Sequence, residues 1–503
     1  MTDNNKAYDE LISINKEISI INSILALLGW DEQTYMPTEG AEYRGDQTAY
    51  FSGLAHSKST DPRIGDLLAE LETAGFEGDK LDPQSVNVRE WRKDYDLGVK
   101  LPQSLVEEMS KTIVLSQHAW MDARSKKDFS IFQPHLEKVV ELQRQKAECF
   151  GYTTEAYDAL LNLFEPGAIS SDLEITLNSL RDELVPMLQK ISDATNKPDS
   201  TILYQDFPID KQEAFAKEVA AGIGYDFDRG SLNVTAHPFM TGLGPNDLRI
   251  TTRYYPKYLN GALFGVIHEA GHAMYEQNLL AEYYATPLGE SVSMGIHESQ
   301  SRMWENNVAR GMAFWEHWYP TAQKYFTALN GVKLDDFYRA INEIKPSFIR
   351  VEADELTYNL HILLRFEIER ELIRGNLKVE DLPGYWNENF NKYFDLDVPD
   401  DSQGCMQDVH WGAGLFGYFP TYSLGTLNAA QFYAQAESEI GDLDAMFRVG
   451  EFSKLRNWLT EKIHTQGRRF MSQQLTKEVT GRDLDSVDLI NYLKGKLYPV
   501  YGI

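Results

Sequence analysis

The chain has 503 residues, of which 43% are hydrophobic, 12% aromatic and 25% charged, proportions of a folded globular protein rather than a disordered one. Its 48 lysine and arginine residues and 76 aspartate and glutamate residues give a formal net charge of −28. Such a charge would repel nucleic-acid phosphates and anionic membranes, so we expect neither among the partners.

Cysteine content and the N-terminal sequence bear on the cellular compartment. The two cysteines, Cys149 and Cys405, are too few for a disulfide framework or a cysteine-ligated zinc finger in so long a chain. The N-terminus has no basic segment followed by an apolar core, and no later run of about eighteen apolar residues is evident. These features predict a cytoplasmic protein without a signal peptide or membrane span.

Apolar residues at helical spacing dominate the N-terminal part of the chain. They predict a helix over residues 8–28 that ends near residues 29–31, and a second helix from about 42 to 54. Two more helices are expected between residues 101 and 150, divided near residues 126–128. A regular leucine-rich stripe from Leu173 to Ile191 predicts a long helix with one face in the core.

The pattern changes between residues 230 and 255. Residues 231–235, 237–240 and 247–255 are typical of short strands, and a glycine- and proline-rich turn over 242–246 joins the last two. An edge strand of this small sheet could pair with an extended peptide substrate. Alternatively, the sheet only supports the helix that follows it.

That next helix, predicted over residues 266–275, carries a His-Glu-x-x-His sequence. His268 and His272 lie one turn apart on the same helical face, so that both imidazoles can bind one metal ion, with Glu269 beside them. A catalytic zinc site of this kind needs three protein ligands and keeps one position for water. The alternative is a chance sequence whose histidines are hydrogen-bonded in the core.

The third metal ligand must come from another segment. Residues 294–302 follow loop signals and are predicted to form the next helix, and Glu298 is our candidate. The alternative for Glu298 is a solvated carboxylate that pairs with Arg302 at i+4.

Two later segments carry further candidate functional groups. Arg350 could bind a peptide C-terminal carboxylate through two hydrogen bonds, although an i,i+4 pair with Asp354 is equally compatible with the spacing. The glycine-rich stretch from residue 404 to 423 carries His410 and several tyrosines, which could donate hydrogen bonds to a developing oxyanion. The alternative for His410 is a core histidine bonded to a neighbouring backbone group.

Several motifs occur together in a fixed order along the chain. They are Trp30-Asp31 to Gly40, His237-Pro238-Phe239, Asp247-x-Arg249-x-Thr251, His268-Glu269-x-x-His272, His297-Glu298-Ser299-Gln300, Ile349-Arg350-x-x-Ala353-Asp354 and Gly404-x-x-Gln407-Asp408-x-His410-Trp411. In these motifs, and over nearly its whole length, the chain resembles the carboxypeptidase Taq family of metallocarboxypeptidases.

This resemblance implies a fold and a set of roles. The fold would be mainly α-helical, of the zincin type, with a deep central groove like that of neurolysin-type oligopeptidases and a small sheet beside the metal helix. The family is usually homodimeric. The implied metal ligands are His268, His272 and Glu298, Glu269 would be the catalytic acid/base, Arg350 would contact the substrate carboxylate, and Arg249 or Arg253 would limit substrate length.

We therefore predict a metal-dependent carboxypeptidase of broad specificity that releases single residues from free peptide C-termini. His410 and Tyr422 are predicted to assist catalysis, and His237 and Tyr418 to bind substrate. Zn²⁺ is the expected metal, with Co²⁺ or Mn²⁺ as substitutes. Residues 1–503 would form one domain in which the helices of about 1–100 flank or cover the groove.

Two alternatives to this function remain open. An endo-acting oligopeptidase or a dipeptidase could use the same metal ligands. A non-catalytic peptide-binding protein with a structural metal would need a closed site of four protein ligands, for example with His410 as the fourth.

Overall fold

Helices make up most of the structure, a computed structural model that describes residues 3–76, 78 and 80–503. The N-terminal helices are α1 (Asp3–Thr34), α2 (Ala41–Ser59), α3 (Pro62–Thr73), α4 (Pro83–Lys100), α5 (Gln103–Lys126), α6 (Phe129–Phe150), α7 (Ala156–Leu161), α8 (Ser170–Ser192) and α9 (Ile209–Ile223). After the sheet come α10 (Asn260–Gln277), α11 (Met294–Arg302), α12 (Met312–Tyr325), α13 (Leu334–Ile341), α14 (Thr357–Arg374), α15 (Leu382–Phe394), α16 (Pro420–Ile440), α17 (Leu443–Arg448), α18 (Ser453–Lys462), α19 (Ser472–Thr480) and α20 (Val487–Tyr501). The predicted, mainly α-helical class is confirmed.

The first helix is longer than the sequence pattern predicts. It continues through Gly29 and Trp30 to Thr34, whose hydroxyl donates a hydrogen bond to the Trp30 carbonyl at 2.7 Å. An isolated glycine costs a helix only about 1 kcal/mol, too little to end it. The predicted division between α5 and α6 is confirmed, because Lys127 adopts a left-handed conformation and the Asp128 carboxylate accepts from the Ser130 amide.

Helix α1 differs from our expectation that no segment of the chain is long and apolar enough to span a membrane. The stretch Lys6–Thr34 is long and apolar enough to cross a membrane by length and composition. Core helices of soluble proteins and signal sequences meet the same two criteria. Length and composition alone therefore assign no membrane role to α1. In this structure α1 packs against α2 and α3, with Leu11 and Ile21 buried.

The small sheet lies in the predicted region, but its second strand begins at Met240, where the predicted strand ends, and includes Gly242, which was predicted to belong to the turn. Its strands are β1 (Leu232–Val234), β2 (Met240–Gly242) and β3 (Leu248–Thr252). The central strand β3 is parallel to β1 and antiparallel to β2, and Ile250 is opposite both Leu232 and Met240. Ile250 and its two successors are buried, and β3 packs on α10. The sheet thereby fixes the position of the helix that carries the two motif histidines.

Two large apolar cores meet along α16. Leu427 and Ala430 of α16 belong to a core formed with α6, α8, α14 and α20. Ala429 and Phe432, on another face of α16, belong to a second core formed with α9, α10 and α12. Because α10 belongs to one core and α14 to the other, side chains from both halves can meet beside α16.

Glycines allow three helices to pack closely around Glu298. A Cβ atom on Gly271 of α10 would lie 2.7 Å from the Cα of Ser301 in α11. A Cβ atom on Gly425 of α16 would lie 2.4 Å from the Cγ of Glu298. Real Cβ contacts are not this short, so a side chain at either position would force the helices apart.

Alanine at position 425 should therefore destabilise the protein. We expect Gly425→Ala to lower the free energy of unfolding by about 1–3 kcal/mol, because the added methyl group overlaps Glu298. Gly384→Ala in α15 is the matched control, because its Cβ would enter open space. The control should be neutral or stabilising by up to about 1 kcal/mol. Urea unfolding measures both, and equal effects would contradict the packing argument.

Candidate metal centre and active site

Two adjacent helices bring three potential metal ligands together. His268 and His272 lie on one face of α10, with ring centroids 4.9 Å apart. Helix α11 begins after Ser293, whose hydroxyl accepts from the Ile296 amide, and carries Glu298 towards both rings. One ligand atom from each of His268, His272 and Glu298 lies within 4.8 Å of the other two.

The spacing of these atoms suits a tetrahedral metal ion. Glu298 Oε2 lies 3.3 Å from His272 Nε2 and 3.7 Å from His268 Nε2. Ligand atoms about 2.1 Å from a tetrahedral Zn²⁺ ion are about 3.4 Å apart. Two imidazoles and one carboxylate are also the donor types that zinc favours. The donor set therefore fits a divalent metal, as the sequence motif predicts.

The second oxygen of Glu298 is bonded elsewhere. Its Oε1 accepts a hydrogen bond from Arg302 Nε at 2.6 Å. Burial alone would raise the pKa of Glu298, but Arg302 and the two histidines hold that pKa well below its usual range. The i,i+4 pair considered as an alternative therefore exists, and it coexists with the ligand geometry.

His268 is oriented by a residue that the sequence analysis did not single out. Its Nδ1 lies 2.9 Å from Oε2 of Glu305, so Nδ1–H donates and Nε2 faces the other ligands. Glu305 belongs to a π-helix over Met303–Val308 that directly follows α11. The signal in the sequence was the i, i+4, i+7 spacing of Glu298, Arg302 and Glu305, which places three charged residues on one helical face.

His272 is held by ring packing instead. Its ring stacks on that of His297, with centroids 4.5 Å apart and an interplanar angle of 21°. The His297 ring is fixed in turn by a hydrogen bond between its Nε2 and Glu276, 3.0 Å long. Burial lowers the pKa of His272 to about 3, so this imidazole is neutral and able to bind a cation near neutral pH.

Glu269 is the buried carboxyl group beside the two histidines. Only 8% of the residue is exposed. Burial raises its pKa to about 7. A carboxyl group with a pKa near neutrality can both accept and donate a proton, as general acid–base catalysis requires.

Arg350 lies in a second polar cluster and pairs with Asp408. Its Nε and Nη2 donate to one Asp408 oxygen at 3.1 and 2.9 Å, and its Nη1 donates to the Tyr358 hydroxyl at 2.9 Å. The alternative partner, Asp354, instead accepts from the Leu356 and Thr357 amides at the start of α14. Asp408 also accepts from the fully buried Arg365 at 2.7 Å.

The predicted histidine and tyrosines surround this guanidinium group. The Arg350 guanidinium lies 5.2 Å from the ring centroid of Tyr422. Tyr418 contacts Tyr422 at 5.3 Å and His410 at 5.7 Å between ring centroids. Burial lowers the pKa of His410 to about 4, which leaves its imidazole neutral. Burial is the main reason that the pKa values of Tyr418 and Tyr422 are raised, and the nearby Glu298 carboxylate raises both further. The structure thus brings these predicted residues together.

The other three predicted substrate-binding residues lie on the sheet side. Arg249 pairs with Asp247 at 2.8 Å, and its guanidinium lies 4.2 Å from the Trp30 ring of α1. Arg253 lines a cavity of about 750 Å³ that also reaches His268. His237 is exposed in the loop between β1 and β2. These residues do not form one cluster with Arg350.

Comparisons with known proteins agree over almost the entire chain. A family model described as the carboxypeptidase Taq (M32) metallopeptidase matches residues 10–497. The chain is 42% identical to thermostable carboxypeptidase 1 of Thermus thermophilus, with 99% of each sequence covered. It is 38% identical to carboxypeptidase 1 of Bacillus subtilis, with 98% of each covered. The crystal structure of an M32 carboxypeptidase from Deinococcus radiodurans matches with a TM-score of 0.95 and 38% identity, covering 99% of this chain and 100% of that one.

These matches span the helices, the sheet and every motif on which the resemblance was based. The shared fold and the extent of sequence identity agree with each other and with a metal-dependent hydrolase that acts on peptide bonds. The chain belongs to the M32, or carboxypeptidase Taq, family of metallocarboxypeptidases.

Proposed function

We propose that this metallocarboxypeptidase releases single amino acids from the free C-terminus of peptides, with broad side-chain specificity. One observation carries the proposal. The His268, His272 and Glu298 ligand set is linked to the Arg350 guanidinium through Arg302 and Tyr358, in a continuous network of buried and half-buried side chains. Such a site can hold a terminal carboxylate at a fixed position relative to the hydrolysed bond.

His268, His272 and Glu298 would hold the metal. When bound, Zn²⁺ supplies Lewis acidity for the peptide carbonyl and lowers the pKa of water towards about 7. We propose Zn²⁺ because of the nitrogen and oxygen donors, with Co²⁺ or Mn²⁺ as substitutes, since cellular availability also decides loading. Glu305 and His297 hold the two imidazoles in the required orientation.

Glu269 is proposed as the general acid and base. Its carboxylate takes a proton from the attacking water and later delivers it to the nitrogen of the departing amino acid. Its buried position beside both histidines and its raised pKa support this assignment. The reaction then needs no covalent intermediate with the protein.

His410 and Tyr422 are proposed to stabilise the oxyanion that forms on the peptide carbonyl. Both are half-buried near Arg350, and a neutral imidazole and a phenol each offer one hydrogen-bond donor. Loss of one such donor should raise the barrier by on the order of 3 kcal/mol.

Arg350 is proposed to bind the terminal carboxylate. A guanidinium group has five N–H donors. Asp408 and Tyr358 take three of them in this structure, so two remain for a substrate. Only 5% of Arg350 is exposed, and a carboxylate that replaces water there would gain a strong charge-assisted pair.

The sheet side is proposed to limit peptide length, with Arg249 or Arg253 as the barrier. His237 and Tyr418 would contact the substrate. The stacking of Trp30 on Arg249 supports a position for the N-terminal helices, about residues 1–100, beside the groove of a single domain. We also propose a homodimer, which the family resemblance implies, and a cytoplasmic location, which the low cysteine content favours.

Glu269→Gln should bind metal normally and lose nearly all turnover. Glutamine keeps the shape of the side chain but cannot exchange the proton. Metal content by elemental analysis and release of the C-terminal residue measure the two properties. Substantial peptidase activity in this variant would remove Glu269 from its proposed role.

Glu305→Gln should weaken metal binding about 10- to 100-fold, because this is the usual effect of replacing a residue that hydrogen-bonds to a metal ligand. Chelator competition on the purified protein measures this directly. The control is Glu316→Gln in α12, whose carboxylate forms an exposed ion pair with Arg448. Equal metal affinity in both variants would mean that Glu305 does not orient His268.

The test of the whole proposal is a free peptide and its C-terminally amidated twin, each incubated with metal-loaded and chelator-treated protein. Mass spectrometry should detect stepwise loss of single residues from the free peptide only, and only with metal. Internal cleavage of both peptides would instead indicate an endo-oligopeptidase. Hydrolysis of free dipeptides, with the longer peptides left intact, would indicate a dipeptidase.

Arg350→Lys, which loses two-point carboxylate binding, should lose at least about tenfold in kcat/KM.

A further inference from the structure

Tyr358 lies between the two halves of the active site. The guanidinium of Arg302 lies 4.3 Å from its ring centroid, and its hydroxyl accepts a hydrogen bond from Arg350 at 2.9 Å. Arg302 is bonded to Glu298, one of the three potential metal ligands. Tyr358 is thus the side chain that contacts both the support of a metal ligand and the carboxylate-binding arginine.

The phenol ring suits this position for an electrostatic reason. Arg302 and Arg350 are both cations in a buried region, where like charges repel strongly. The ring presents its electron-rich face to Arg302 and an oxygen lone pair to Arg350, so each cation faces negative charge density. Burial raises the pKa of Tyr358, so the phenol stays neutral and keeps both interactions near neutral pH.

The position of Tyr358 is fixed by its backbone. It occupies the first turn of α14, where Asp354 accepts hydrogen bonds from the Leu356 and Thr357 amides. The ring of Tyr422 packs against it at 5.9 Å, nearly perpendicular at 89°. A rigid ring held on one helix can therefore set the separation between groups on two other segments.

We propose that Tyr358 is a positioning residue that sets the distance between the metal ligands and the carboxylate anchor. This inference rests on the proposed function, because the distance matters only if Arg350 binds the substrate's C-terminus. Tyr358 would act through Arg302 on Glu298 and directly on Arg350. It would thereby place the last peptide bond, rather than a more internal one, at the metal.

Two substitutions separate the two contacts. Tyr358→Phe removes the hydroxyl group and keeps the ring. We expect KM for a free-acid peptide to rise about tenfold or more, because a hydrogen bond to a charged group is lost. The kcat should also fall, because the terminal carboxylate is then held less accurately relative to the metal ligands. The metal dissociation constant should stay within about threefold of the wild-type value, because the ring face under Arg302 is kept.

Tyr358→Leu also removes the ring face under Arg302. Here the metal dissociation constant, measured with Zn²⁺ by chelator competition, should rise about fivefold or more in addition to the effect on KM. The control is Tyr319→Phe in α12, another buried tyrosine, whose hydroxyl donates to the Val332 carbonyl at 3.0 Å. That control should change neither KM nor metal affinity.

The measurements distinguish failure of the positioning role from failure of the proposed function. A wild-type KM in Tyr358→Phe, or a wild-type metal affinity in a folded Tyr358→Leu protein, would overturn the positioning role. Equal hydrolysis of acid and amide peptides by the wild-type enzyme would overturn the proposed function instead. The metal measurement on Tyr358→Leu would then still test the link to Arg302.

Discussion

The two oxygens of the Glu298 carboxylate face different partners, and the rest of the active site is arranged around that division. One oxygen faces the two histidines, and the other accepts from Arg302. A buried carboxylate that lacked either partner would be costly to keep ionised. The close approach of α10, α11 and α16 at Gly271 and Gly425 keeps this carboxylate in one place.

Beyond Glu298, charges of opposite sign alternate through the interior. Glu305 and Glu298 flank Arg302 on the metal side, and Asp408 lies between Arg350 and Arg365 on the other. Each ion is thus compensated by neighbours rather than by water, which is how buried charges are tolerated in proteins.

The sequence predicts local features of the site well and tertiary pairings poorly. His268 and His272 could be placed on one face because helical spacing alone determines that face. The pairing of Arg350 with Asp408 could not be predicted, since the partners lie in separate segments whose meeting depends on packing. Tyr358 was overlooked for the same reason. The end of α1 was misplaced because one glycine is a weak helix breaker next to a tryptophan that continues the helix.

The supports of the two histidines have a further consequence for how the protein acquires its metal. Glu305 and His297 contact the imidazoles through bonds and ring packing that need no ion. The ligand set is therefore assembled by folding itself, unlike that of a zinc finger, whose chain is unordered until metal binds. We therefore expect metal loading to follow folding rather than to drive it, which would let the chain fold before any ion is bound.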